Sequence, residues 1–204
     1  DNLKSEGAQI AQALAMMGTR PTFDSFGRLT GAELIPIEEL GRPRIDVILT
    51  VSGIFRDLLP LQTRLLADAA LKAANADEPA ELNPIRHHAL AYQSKTGCSF
   101  ETAALRVFSN SQGAYGSNVN QLVDAGCWDE ADELADAYSS RKCYAYGTTG
   151  DPAAQPELLN SILENVDMSY QNLESVELGV TTIDHYFDTR GGIAKAVSRA
   201  NGKD

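Results

Sequence analysis

The sequence is poor in cysteine, in cations and in long apolar runs. Three cysteines, Cys98, Cys127 and Cys143, are an odd number with no CxxC spacing, which supports neither a disulfide framework nor a cysteine-rich zinc site and points to a reducing compartment. Seventeen Lys+Arg stand against 28 Asp+Glu, a net charge of −11, with no basic patch to offset it, so nucleic acid and anionic membrane surfaces are poor partners. The longest apolar stretch, Ile45 to Ile54, is interrupted by Asp46, Thr50, Ser52 and Gly53 and falls well short of the roughly 20 residues a membrane span requires. A P-loop is absent: the Gly202-Lys203 pair is followed by Asp204 and lacks the earlier glycine, so this chain has no such route to ATP. Gly-x-Ser-x-Gly is missing too, and three histidines leave little material for a triad.

What is present is an ordinary globular composition, 43% hydrophobic and 22% charged over 204 residues, enough to fold around its own core. The opening Asp1-Asn2-Leu3, without methionine or signal peptide, suggests a piece of a longer protein. Ile10, Ala13, Leu14 and Met17 lie at helical spacing before Gly18 and predict a helix over Ser5 to Met17. Extended pieces at Thr22 to Phe26 and Ala32 to Ile37, separated by Gly27 and Gly31, suggest a hairpin. Arg44 to Val51, apolar and β-branched, reads as a strand buried on both faces.

Pro60 then opens a long helix toward Asn75, Asn83 to Thr96 forms another ending at Gly97, and Ser99 caps a third. Arg106 to Asn110 is a short apolar piece leading into the small and polar stretch Ser111 to Asn118, a ligand-facing loop. Trp128, Ala131, Ala135 and Tyr138 share a helical face, with acids crowding the N-terminal half (Asp129, Glu130, Asp132, Glu133) and Arg141-Lys142 complementing the dipole at the other end. Thr148 to Gln155 reads as a flexible loop before a helix from Pro156 to Asn165. The expectation is one α/β region over residues 1–204, helix-rich with a short, largely buried sheet.

The densest chemical cluster runs from Tyr170 to Asp188, where His185 and Asp188 share a helical face at i,i+3. Against that stands a bland reading, a surface His–Asp pair beside two core aromatics, which composition alone favours. His87-His88 diverge by about 100° on a helix and read as solvated surface. Arg56-Asp57 reads as an anion contact or, with better odds, as a loop ion pair with Asp57 capping a helix.

Several ordered motifs carry a resemblance. Gly31-Ala-Glu-Leu-Ile-Pro-Ile-Glu-Glu-Leu-Gly-Arg-Pro-Arg-Ile-Asp-Val, Ser52-Gly-Ile-Phe-Arg-Asp-Leu, Arg106-Val-Phe-Ser-Asn, Gly113-Ala-Tyr-Gly-Ser-Asn-Val-Asn, Ser140-Arg-Lys-Cys-Tyr-Ala-Tyr-Gly, Tyr170-Gln-Asn-Leu-Glu-Ser and His185-Tyr-Phe-Asp together resemble the large H subunit of magnesium chelatase and its cousin, the cobaltochelatase large subunit. The likeness runs along nearly the whole chain, and the Ser-Asn-Val-Asn, Ser-Arg-Lys and Glu174 to Asp188 pieces favour the magnesium branch of bacteriochlorophyll type.

The resemblance implies a fragment from the C-terminal half of a large multidomain subunit that binds protoporphyrin IX during ATP-dependent insertion of Mg2+. ATP would be hydrolysed by AAA+ partner subunits of the I and D types, in the cytoplasm or, in a plant or alga, the plastid stroma. Magnesium prefers oxygen ligands and sheds its waters reluctantly, which makes Glu174, Asp184 and Asp188 the expected metal-facing carboxylates. Two pyrrole protons must leave, and His185 has the range for a base, alongside the same acids as catalytic candidates. Tyr115, Tyr186 and Phe187 would supply flat contact to the macrocycle, and Arg56 an anion contact. The alternatives are an assembly module that docks the ATPases without touching porphyrin, or the cobalt branch with a corrin precursor as substrate.

Overall fold

The computed structural model describes residues 6–116, 131–170 and 192–202. Helix α1 (Ala8–Met17) ends at Gly18, whose φ of 72° is cheap only without a Cβ. The closeness of Arg44 adds a second reason for glycine there: a Cβ on Gly18 would stand 2.5 Å from Arg44 Nη1. The buried guanidinium donates to the carbonyls of Met17 and Gly18 at 3.2 and 2.7 Å and to that of Ile35 at 2.9 Å, and it pairs with Glu78. One arginine thus closes the C-terminus of α1 onto the hairpin that follows.

That hairpin is β1 (Thr19–Phe23) against β2 (Leu29–Leu34), antiparallel, with both strands three residues earlier than the expected Thr22–Phe26 and Ala32–Ile37, because Asp24 to Arg28 form the turn. A four-residue helix, α2 (Ile37–Leu40), follows it. The long helix α4 (Pro60–Asn75) has Pro60 in its first turn and buries an alanine-rich face, Ala67, Ala69, Ala70, Ala73 and Ala74, with Leu65 and Leu66. Small side chains let α1, the hairpin and α5 (Pro84–Thr96) approach it closely. On its flank, Asp68 accepts from the Ala32 N–H at 2.8 Å while Lys72 donates to the Ala32 carbonyl at 2.6 Å, so an i,i+4 ion pair stands in for a neighbouring strand at the edge of β2.

The second sheet is β3 (Leu49–Thr50), β4 (Val107–Ser109), β5 (Tyr144–Ala145) and β6 (Ala153–Ala154) in that order, parallel between β3 and β4 and antiparallel thereafter. The expected long buried strand over Arg44–Val51 is corrected to two ladder residues. Its earlier amides go elsewhere, Arg44 N–H to the Leu82 carbonyl and Ile45 N–H to that of Met16, and Ile45 is exposed. β-Branched composition set the conformation there, but competing main-chain acceptors took the ladder. Burial of this sheet holds for β4 and fails at its edge, where Ala153 and Ala154 are exposed.

Short helices α3 (Gly53–Leu58) and α6 (Phe100–Ala103) follow β3 and precede β4. Ser99 caps α6 as expected. Asp57, expected as a cap, lies inside α3, and the cap is Ser52, whose Oγ accepts the Phe55 N–H at 3.0 Å. The stretch read as a flexible loop, Thr148 to Gln155, contains β6, and the Gln155 N–H bonds the Cys143 carbonyl at 2.8 Å.

Three further helices lie among the described residues: α7 (Ala131–Lys142), α8 (Pro156–Leu163) and α9 (Gly192–Asn201). The last was not anticipated, although Ile193, Ala196, Val197 and Ala200 are at helical spacing. Gly192 lets α9 sit against Tyr138, where a Cβ would be 2.9 Å from the ring. Phe108, Tyr138, Leu158, Leu159, Ile162 and Leu163 pack with Ala196 into a second core, separate from the one around α4. The architecture is helix-rich α/β, with two small sheets among the described residues.

Candidate functional site

Parallel strands place their carboxyl ends side by side, and the loops leaving them form a crevice where ligands bind in open α/β sheets. Here those loops are Val51-Ser52-Gly53 after β3 and Asn110 to Gly116 after β4. Asn110 is buried and uses both ends of its residue. Its carbonyl accepts from Arg56 at 3.0 Å and from the Tyr146 hydroxyl at 2.7 Å, its Oδ1 accepts from Lys142 Nζ at 2.7 Å, and its Nδ2 donates to the Gly116 carbonyl at 2.6 Å.

Arg56 is equally buried, and its Nη1 also donates to the carbonyls of Ser111 at 2.8 Å and Ala114 at 3.4 Å. The Lys142 ammonium lies 3.4 Å from the Val51 carbonyl, which also accepts from Ser109 Oγ at 2.9 Å. Carbonyls that would face away from any partner in a free loop are therefore met by two buried cations.

Above this base, Arg56 binds the Asp57 carboxylate through Nε at 2.6 Å and Nη2 at 3.0 Å, and the Tyr115 hydroxyl donates to the same carboxylate at 2.6 Å. The Arg56 hydrogen bonds, then that of Tyr115, hold Asp57 down at about 2, well below the usual carboxylate range. Its acceptance from Tyr115 raises that phenol in turn. Burial raises the phenol of Tyr146. The Arg56 guanidinium carbon lies 5.6 Å from the Tyr115 ring centroid, and Tyr115 remains 52% exposed.

The opposite, amino ends of β3 and β4 carry a different cluster. Asp46 accepts from Arg106 at 2.7 and 3.1 Å and bonds His88 Nδ1 at 2.8 Å. Burial alone would push Asp46 up, but the Arg106 charge together with the His88 and Arg106 hydrogen bonds outweighs it and brings the acid down to about 2. The reading of both histidines as solvated surface thus holds for exposed His87 and is corrected for His88. Lys142, expected to complement a helix dipole from the surface, has its side chain buried beneath the loop.

Of the residues expected to form a site, Arg56 and Tyr115 come together within the described structure, though the partner of Arg56 is Asp57 and the loop main chain. Glu174, Asp184, His185, Tyr186, Phe187 and Asp188 lie outside the described residues. Among the described residues, no group of three or more His, Cys, Asp or Glu side chains is placed to hold a metal ion. Asn110, Lys142 and Tyr146 were not picked out individually, yet the motifs Arg106-Val-Phe-Ser-Asn and Ser140-Arg-Lys-Cys-Tyr-Ala-Tyr-Gly contain all three. Their contact across 32 and 36 residues left no local signal.

Away from these two clusters, a concavity of about 700 Å3 lies between α1, the hairpin and the start of α4, lined mainly by apolar groups of Ile10, Leu14, Pro21, Phe23, Leu29 and Leu65. No described helix is long and apolar enough to cross a membrane.

Comparison with known proteins agrees with the motifs. The chain is 66% identical to the magnesium-chelatase large (H-type) protein of Cereibacter sphaeroides over its whole length and 64% identical to that of Rhodobacter capsulatus over 99% of it, covering 17% of each relative. Among solved structures, the catalytic subunit of cobaltochelatase from Mycobacterium tuberculosis superposes with a TM-score of 0.92 at 33% identity over 98% of this chain and 17% of that one. The chain therefore spans about a sixth of these relatives. With the CobN/Magnesium Chelatase model matching residues 1–204 from end to end, this chain belongs to that family.

Proposed function

We propose that this chain is part of the porphyrin-holding large subunit of a magnesium chelatase, which inserts Mg2+ into protoporphyrin IX on the way to chlorophyll or bacteriochlorophyll. The observation that carries this reading is the 66% identity to a magnesium-chelatase H subunit, set against 33% to a cobaltochelatase subunit of nearly the same backbone. The backbone is shared by both branches, so the side chains favour magnesium.

The work follows from the chemistry of the substrates. Mg2+ arrives hydrated and must exchange waters for four pyrrole nitrogens, while two N–H protons leave. In this reading Glu174, Asp184 and Asp188 face the metal, His185 accepts a pyrrole proton, and Tyr186 and Phe187 contact the macrocycle. Tyr115 adds a flat surface at the carboxyl ends of β3 and β4. Arg56 is given no anion to bind, because its donors are engaged by Asp57 and three carbonyls. AAA+ subunits of the I and D types hydrolyse ATP in trans, and the assembly works in the cytoplasm, or in the plastid stroma in a plant or alga.

The test is chelation by the full-length polypeptide with its ATPase partners. His185→Ala or Asp188→Ala lowers Mg2+ insertion without changing the thermal unfolding midpoint; unchanged turnover would sink the site assignment. Preference for Co2+ and a corrin precursor over Mg2+ and protoporphyrin would move the chain to the other branch.

A second reading, docking of other protein surfaces, is favoured by the exposed large apolar side chains Ile54, Leu58 and Leu61 on α3 and the start of α4, with Phe23 and Phe26 at the hairpin. Partner capture by the full-length protein that survives loss of porphyrin binding would support it.

A further inference from the structure

Tyr115 is half exposed, yet its ring is held from several directions. The Arg56 guanidinium lies over it, and the hydroxyl is bonded to Asp57. Gly53 backs the ring at its Cδ1 edge so tightly that a Cβ would stand 2.6 Å away. Arg56 is itself tied to the carbonyls of Asn110 and Ser111, and Asn110 to Lys142, so the chain of contacts runs from the exposed ring down to the sheet. A surface tyrosine usually exchanges rotamers, and ordering it on binding costs free energy. Here that ordering is already present before any ligand arrives. Asp57 takes both Arg56 contacts and the tyrosine hydroxyl, so it ties the buried base to the outer end of the ring beside the direct contact of Arg56 with its face.

We propose that Asp57 is a positioning residue for Tyr115, holding the ring in the orientation that stacks on the flat face of a tetrapyrrole. The inference rests on the tetrapyrrole reading above and adds to it a residue with no direct contact with the substrate. Aromatic faces prefer offset stacking, and a ring locked by its hydroxyl enters that geometry without a search. Asp57 reaches the ring through the Tyr115 hydroxyl and through Arg56, which it fixes over the ring, so the share carried by the hydroxyl is lost when that hydroxyl is gone.

The experiment is a titration of the full-length polypeptide with deuteroporphyrin IX, a water-soluble protoporphyrin analogue, followed by the shift of its main absorption band. Y115A weakens binding by about tenfold, the scale of one stacked aromatic. Y115F and D57A each weaken it by about threefold, and D57A weakens it less in the Y115F background than in the parent. Thermal unfolding of all four variants reports any loss of fold, and the Y115F background carries the same fold loss from D57A as the parent does. Equal weakening by D57A in both backgrounds overturns the positioning role, as does unchanged binding by D57A alone. Y115A binding like the parent removes the ring from the site. No binding by the parent polypeptide overturns the tetrapyrrole reading on which the inference stands.

Discussion

The two ends of the β3–β4 pair are both built on a buried arginine that gives Nε and Nη2 to a carboxylate and Nη1 to main-chain carbonyls, and they differ in what that carboxylate faces. At the amino ends, Arg106 meets the nearly buried Asp46 in a bidentate pair, with His88 on the same carboxylate and the third nitrogen on the Ala103 and Leu105 carbonyls, so the charges satisfy one another inside the fold. At the carboxyl ends, Arg56 gives one nitrogen to loop carbonyls and the others to a half-exposed carboxylate that holds an exposed aromatic ring. The first arrangement closes the fold. The second shapes a loop and presents a side chain, as expected of the ligand-facing edge of parallel strands.

The comparison is broken most severely at the closed end. D46A leaves the Arg106 guanidinium, 1% exposed, without its carboxylate, and the expected loss is about 3–5 kcal/mol of unfolding free energy, read by urea denaturation. If instead the loss is below about 1 kcal/mol, the two ends do not differ in the way the contacts suggest.

The same pair has a pH signature. Asp46 titrates lower in the folded chain, at about 2, than in the unfolded one, so its contribution is full above the unfolded value near 3.8 and fades as pH falls through about 2. Stability of the parent should fall over that acid window more steeply than that of D46N, in denaturation curves collected from pH 5 to 2.

At the open end, G53A would put a methyl 2.6 Å from the Tyr115 ring and 2.7 Å from the Ala114 carbonyl. An overpacking cost of about 1–3 kcal/mol is expected, with faster proteolysis at residues 112–116, because the loop must move to admit it. Normal protection of that loop would show that the ring is held less firmly than its contacts indicate. The smallest effect belongs to S52A, which removes the cap of α3 and should cost about 1 kcal/mol without altering loop protection. If S52A exposes the loop as G53A does, capping and loop position are coupled and the contrast needs redrawing.

Much of the fold was legible because its cues are local. Gly18, Pro60, Asn83, Gly97 and Ser99 mark helix ends through φ preference, a missing N–H or a capping oxygen, and each marks the boundary expected of it. Arg44–Val51 misled because its extended conformation is local while its hydrogen-bond partners are not. Lys142 misled for a related reason: its place at a helix end explains its charge, but its ammonium runs back to Asn110 and Val51. Arg56 and Tyr115 were legible as residues of interest, whereas the role of Asp57 as their link was not.

By itself the sequence determined the helix ends marked by Gly18, Pro60, Asn83, Gly97 and Ser99, the presence of a hairpin, the acidic net charge and, through its ordered motifs, the family. These depend on torsional preference, periodicity and residue identity, which are written along the chain. Only the tertiary structure decided that Arg106 finds a nearly buried carboxylate and that Arg56 reaches the loop carbonyls beneath an exposed ring. That choice is made by contacts spanning 54 to 60 residues, where the low dielectric of the interior makes each polar group find a partner and packing alone determines which one is near.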